Sequence, residues 1–140
     1  MRSADDPILV IEDHPMMRAM VGEVLESAGY KIVLVDGAEA ALRLLADDLA
    51  ALVTDIHLGD GPDGWAIARR FRQLHPNLPI LYMSADAADD WTFKGVPKSR
   101  MIRKAFGCSE LLSSLADVLV VAPPDVTRDE PAAVPAVRAI

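Results

Sequence analysis

The chain has 140 residues, 51% of them hydrophobic, with 14 Lys+Arg against 21 Asp+Glu and a formal net charge of −7. That length fits one domain of ordinary size, and a chain of about 150 residues buries roughly 68–70% of its unfolded surface, so wholesale disorder is excluded. The acidic balance argues against a duplex-binding module, which needs a basic face. A single cysteine, Cys108, excludes an internal disulfide, and no Cys/His spacing reads as zinc.

The first residues, Met1 to Pro7, are polar and acidic rather than a secretory apolar core, and a run such as Leu49–Val53 is far short of the ~18 residues a membrane helix needs. The expectation is a soluble, cytoplasmic protein with no membrane or direct nucleic-acid contact.

Ile8-Leu9-Val10-Ile11 is a continuous apolar run of the kind buried on both faces of a sheet, and it stops at Glu12-Asp13. Pro15 suits a first helical turn, Met17, Met20, Val21, Val24, Leu25 and Ala28 follow at helical spacing, and Gly29 is a stop. Lys31–Val35 reads as another buried strand. Asp36 with Glu39 resembles a capping box opening a helix whose apolar stripe is Ala38, Ala41, Leu42 and Leu45.

Ala51–Thr54 is the third strand and ends on Asp55. A turn-rich loop, Gly59 to Gly64, leads to a helix from about Trp65 to Leu74. The fourth strand, Ile80–Met83, ends at Ser84. Between Asp86 and Ser99 only one short helix fits, around Ala87–Phe93, because Gly95 and Pro97 break the pattern. A last strand near Met101–Arg103 ends at Lys104, and Ser109 is expected to cap a helix with Leu111, Leu112, Leu115, Val118 and Leu119 on one face. Four of the ten prolines lie in residues 122–140, where no period survives, so that segment reads as a flexible tail after a domain of residues 1–121.

Five β-α repeats imply a parallel sheet covered by helices on both faces, with ligands outside the carboxyl ends of its strands. In such a sheet Glu12, Asp13, Asp55, Ser84 and Lys104 share one edge. Carboxylates gathered there need a cation, and Mg²⁺, which takes one or two carboxylates plus waters and phosphate oxygens, is the natural choice. A lysine ammonium and a serine hydroxyl add contacts for a phosphoryl group.

The combination of Val10-Ile11-Glu12-Asp13, Leu52-Val53-Thr54-Asp55-Ile56, Met83-Ser84-Ala85 and Lys104 with Phe106 resembles the receiver domain of bacterial two-component response regulators over residues 7–121. The resemblance implies a flavodoxin-like fold with strand order 2-1-3-4-5. It implies Asp55 as phosphoacceptor, Glu12, Asp13, Asp55 and the His57 backbone carbonyl around Mg²⁺, and Ser84 and Lys104 on the phosphoryl oxygens. A sensor histidine kinase or histidine phosphotransferase would supply the phosphoryl group. The protein would catalyse only its own phosphorylation and dephosphorylation, act on a downstream protein target or in a relay without an output domain, and exist as a monomer or weak dimer. His57 and Asp86 would flank the hydrolytic water.

Three departures from the family pattern bear on signalling. Ala105 follows Lys104 where proline is usual, and a cis bond before a non-proline costs ~2.5–4 kcal/mol, which tilts this peptide toward trans without deciding it. Met101 stands where a switch aromatic is usual, and the fourth helical segment is broken. Two other readings remain: a degenerate receiver that docks partners without phosphorylation, and a phosphatase or nucleotide enzyme. The latter lacks a Gly-rich phosphate loop after the first strand and has His57, not an acid, two residues past Asp55.

Overall fold

The computed structural model describes residues 5–86 and 90–121. Five strands, β1 (Ile8–Ile11), β2 (Ile32–Val35), β3 (Ala51–Asp55), β4 (Ile80–Ser84) and β5 (Ser99–Arg103), form one parallel sheet in the order β2-β1-β3-β4-β5. Between and after them run α1 (Pro15–Ser27), α2 (Ala38–Leu42), α3 (Gly64–Leu74), α4 (Trp91–Lys94) and α5 (Cys108–Val121). The predicted fold class and strand order are observed. Residues 122–140, read above as a tail, lie outside the described residues, as does the start of the predicted helix at 87–89.

Side-chain alternation along the central strands builds two apolar layers. Leu9, Ile11, Leu52, Ile80 and Tyr82 face α2 and α3, against Ile67 and Phe71. Ile8, Val10, Val53, Leu81 and Met83 face α1 and α5, against Val21, Leu25, Leu111, Leu115 and Val118. That two-sided burial is why β1, β3 and β4 read as nearly continuous apolar runs, Thr54 being the exception inside β3.

Four local expectations are corrected. β2 is an edge strand with one neighbour, so it is only half-buried and Leu34 is exposed, rather than a fully buried strand. The Asp36–Glu39 capping box does not form: Gly37 is the N-cap of α2 without a side-chain hydrogen bond, and Glu39 pairs with Arg43 instead. α2 stops at Leu42, and turns through 43–46 carry Leu45. Ser109 lies inside the first turn of α5, which begins at Cys108.

Pro15 does open α1, and His14 caps it by accepting from the Met17 amide. Among the described residues the fourth helical segment is a single turn, Trp91–Lys94, which runs one residue past the expected end at Phe93. Its first residue is tied down by the Trp91 indole donating to Ser99 Oγ at 3.0 Å, and the segment after it by the Val96 amide donating to the Tyr82 hydroxyl at 3.1 Å.

Candidate functional site

The strand order reverses between β2-β1 and β3-β4-β5, so the carboxyl ends of β1 and β3 are neighbours at the switch point, where open α/β sheets place ligands. Glu12 and Asp13 follow β1, and Asp55 ends β3. Carboxylate oxygens of the three lie within 4.8 Å of one another. Glu12 is fully buried, Asp55 is 6% exposed, and Asp13 faces solvent.

Each buried carboxylate is held by a backbone amide close in sequence. Asp55 Oδ1 accepts from Ile56 N at 2.8 Å, and Glu12 Oε2 accepts from His14 N at 3.1 Å. The Lys104 ammonium sits between their other oxygens, 2.8 Å from Glu12 Oε1 and 3.1 Å from Asp55 Oδ2. Glu12 Oε1 faces that ammonium without accepting a well-aligned hydrogen bond from any other described residue.

Burial pushes the Glu12 carboxyl above its usual range, the contact with Lys104 and the His14 amide pull it back, and the nearby Asp55 charge raises it again. Burial alone would lower Lys104, but its hydrogen bond to Glu12 and the Asp55 charge outweigh it, so the ammonium is held above its ordinary value. The site is thus an anionic pit with one cation clamped inside it.

Ser84, fully buried at the end of β4, joins the same rim. Its carbonyl accepts from Lys104 N at 2.9 Å, which fixes the start of the Lys104 loop to β4, and its hydroxyl accepts from Asp86 N at 3.3 Å. The Lys104–Ala105 peptide is cis, contrary to the leaning of the sequence. Lys104 nonetheless reaches both carboxylates. All five sequence-predicted side chains therefore lie at the sheet's carboxyl edge, with Glu12, Asp13, Asp55 and Lys104 in one cluster.

His57 follows β3, and its ring nitrogen Nε2 lies 2.9 Å from Asp86 Oδ1, joining the loops after β3 and β4 across the exposed mouth. The β3–α3 loop turns through Gly59 and Gly61 at positive φ, and Asp63 caps α3 by accepting from Ala66 N at 2.9 Å. Gly64 packs directly on the backbone of Asp55 and Ile56, where any Cβ would collide with the Asp55 carbonyl oxygen. The phosphoacceptor candidate's backbone is thereby pinned from below.

Sequence reasoning missed two contributors. Arg18, four residues into α1, donates to the Glu12 carbonyl at 2.9 Å and braces the acidic turn. Tyr82, buried against Trp65 with ring centroids 4.7 Å apart, supplies the hydroxyl that holds Val96, and burial raises its pKa. Met101 packs half-buried against the α2–α3 layer.

The acidic pit at the switch point of this parallel sheet marks a doubly wound α/β protein with a candidate cation site, and comparison with known proteins makes the class specific. The response regulator receiver domain family matches residues 8–116. The chain is 31% identical to the response regulator receiver protein CpdR of Brucella abortus, covering 82% of this chain and 98% of that one. It superimposes on the crystal structure of a response regulator receiver protein from Sinorhizobium medicae with a TM-score of 0.80 and 31% identity, over 84% of this chain and 97% of that chain. It matches the receiver domain of a sensor histidine kinase from Pseudomonas aeruginosa, solved with magnesium in its active site cleft, with a TM-score of 0.72 and 25% identity over 84% and 99% of the two chains. Other curated relatives are much longer, and the chain spans 16–18% of their length. The chain belongs to the response regulator receiver domain family of two-component signalling.

Proposed function

We propose that this protein accepts a phosphoryl group on Asp55 from a phosphohistidine, and passes the signal on by protein–protein contact or phosphorelay. The observation that carries the reading is the cluster itself: three carboxylates with oxygens within 4.8 Å and one ammonium bridging two of them. Such crowding of anions is costly unless a cation shares the site.

The donor set fits a hard divalent ion, all oxygen and with Asp13 open to solvent, so Glu12, Asp13 and Asp55 would hold Mg²⁺ with the His57 carbonyl. When bound, Mg²⁺ neutralises charge on transferring phosphoryl oxygens. The chain's own residues do the rest. An Asp55 carboxylate oxygen forms the new P–O bond as the donor's P–N bond breaks, and the imidazole leaves with the electron pair and is protonated. Lys104 lies within reach of Asp55 Oδ2, so its ammonium would stabilise the charge on the incoming group, and Ser84 would donate its hydroxyl proton to a phosphoryl oxygen. Gly64 and the Ile56 amide keep the carboxylate aimed.

The likeness to CpdR and to receiver domains of sensor kinases supports a histidine kinase or histidine phosphotransferase as donor, and hence a cytoplasmic setting. Among the described residues no helix is long and apolar enough to cross a membrane. Incubation with acetyl phosphate and Mg²⁺ is expected to add a single phosphoryl mass, absent with a chelator and absent in Asp55→Asn. An unmodified mass under saturating donor would favour the docking-module alternative.

A further inference from the structure

The order of the sheet leaves β2 and β5 each with one open side. An open strand edge offers a row of amides and carbonyls to any other strand, and proteins commonly guard it with charged side chains. β5 is guarded in that way: Arg100 and Arg103 fall within its five residues, both are exposed, and Arg100 lies 3.6 Å from Asp117 on α5. β2 is not. Its four residues, Ile32-Val33-Leu34-Val35, carry no charge and no proline, and Leu34 is 39% exposed.

The ladder fixes which backbone groups are open. The Ile8 amide donates to the Lys31 carbonyl and the Glu12 amide to the Val35 carbonyl, so Lys31, Val33 and Val35 turn their backbone groups toward β1. Ile32 and Leu34 therefore turn both N–H and C=O outward, and no described residue bonds to them there. We propose that this edge pairs with the same edge of a second copy of the chain, antiparallel about a two-fold axis at Val33. Ile32 of each copy then faces Leu34 of the other, and the outward groups of both copies are all used in four N–H···O=C bonds. Val33 meets its counterpart as the non-hydrogen-bonded pair, with Cα atoms about 4.5 Å apart. Charge selects the antiparallel sense. Exposed Lys31 precedes the strand and exposed Asp36 follows it, so antiparallel pairing sets the basic end of one strand beside the acidic end of the other, whereas parallel pairing sets like beside like. The two-fold closes the pair without leaving an open β2 edge. An edge this short falls below about 1,200 Å² of interface, the class of transient association, and the net charge of −7 on each copy opposes it further. The pairing uses no residue of the acidic pit and does not depend on phosphorylation.

The test traps the pair through sulfur. In the full chain with Cys108→Ser, Val33→Cys should form an intermolecular disulfide under mild oxidation, because disulfides span Cα separations of about 4.4–6.8 Å. Leu34→Cys is the control: the position is more exposed than Val33, but its counterpart across the two-fold is a diagonal neighbour at about 7–8 Å. Chance collision favours Leu34→Cys, whereas the proposed pairing favours Val33→Cys severalfold. Adding Leu34→Pro to Val33→Cys removes an outward amide but no bond to β1, and should abolish the crosslink. Adding Lys31→Glu should weaken it severalfold, and Lys31→Glu with Asp36→Lys should restore it, which a misfolded variant would not do. A Val33→Cys protein that stays monomeric overturns the proposal, because the edge is then left to some other strand. Crosslinking of Leu34→Cys that equals or exceeds it also overturns the proposal, as does a yield unmoved by Leu34→Pro or by the charge exchange.

Discussion

Replacing Lys104 by Met removes the one cation that the described residues place between two buried carboxylates. At an effective dielectric of about 20, unit charges at the observed 2.8 Å and 3.1 Å attract by roughly 6 and 5 kcal/mol before desolvation is counted. Desolvation of all three groups offsets much of this, and removing one partner of a buried pair typically costs about 3–5 kcal/mol. Lys104→Met should therefore lower the Tm by about 10–20 °C at pH 7 in the presence of a chelator.

The pH dependence carries the sharper content. Glu12 already binds its proton more tightly when folded than when unfolded, and without the ammonium that preference grows. The variant's deficit should then shrink as the pH falls toward the ordinary carboxylate range near 4.5, because the folded state takes up a proton at Glu12. In the parent protein the raised Lys104 value has the opposite reach: its contribution is fully present at neutral pH and is lost only as the pH climbs above 10.5 through the folded-state value. Thermal denaturation from pH 4.5 to 8 with both proteins checks this. A Tm within about 2 °C of the parent at pH 7, or a deficit that does not change with pH, would refute the clamped-cation account.

Gly64→Ala places a Cβ 2.9 Å from Ile56 Cα and in collision with the Asp55 carbonyl oxygen, so it should destabilise the fold by about 1–3 kcal/mol, read as a lower denaturation midpoint. Mg²⁺ at about 100 times its Kd should stabilise the parent by about 2.7 kcal/mol, and Asp13→Asn should lose most of that gain at the same concentration, as thermal shifts would show. Exchanging both His57 and Asp86 for Ala opens the mouth they bridge at 2.9 Å, and the lifetime of the phosphoryl group should change severalfold. An unaltered decay rate would remove these two side chains from hydrolysis.

The parts of this fold that could be read from residues alone are those in which burial alone dictates composition. β1, β3 and β4 are central, so their runs are apolar except for the buried Thr54, whose hydroxyl bonds to the Asp55 carbonyl, and they give way to Glu12, Asp55 and Ser84 at the carboxyl edge. β2 was misjudged because an edge strand can share that composition while burying far less of it. The Asp36–Glu39 pattern failed because Gly37, in extended conformation, took the cap position and Glu39 found Arg43 one turn on.

At the site, charged residues at strand ends were visible because topology alone brings them together. Arg18 was not, because its contact is to a backbone carbonyl six residues earlier, which leaves no mark in spacing or charge. The geometry of the Lys104–Ala105 peptide was equally hidden: intrinsic cost favours trans, whereas the folded chain adopts cis with Lys104 N bonded to the Ser84 carbonyl.

The claim on which the account rests is that Asp55 is the residue that becomes phosphorylated. Peptide mapping of the full chain after brief exposure to a small phosphodonor and Mg²⁺ tests it directly. The account predicts the added mass on the peptide containing Asp55 and on no other. A phosphoryl group mapped to Glu12, Asp13 or any residue away from the end of β3 would contradict it.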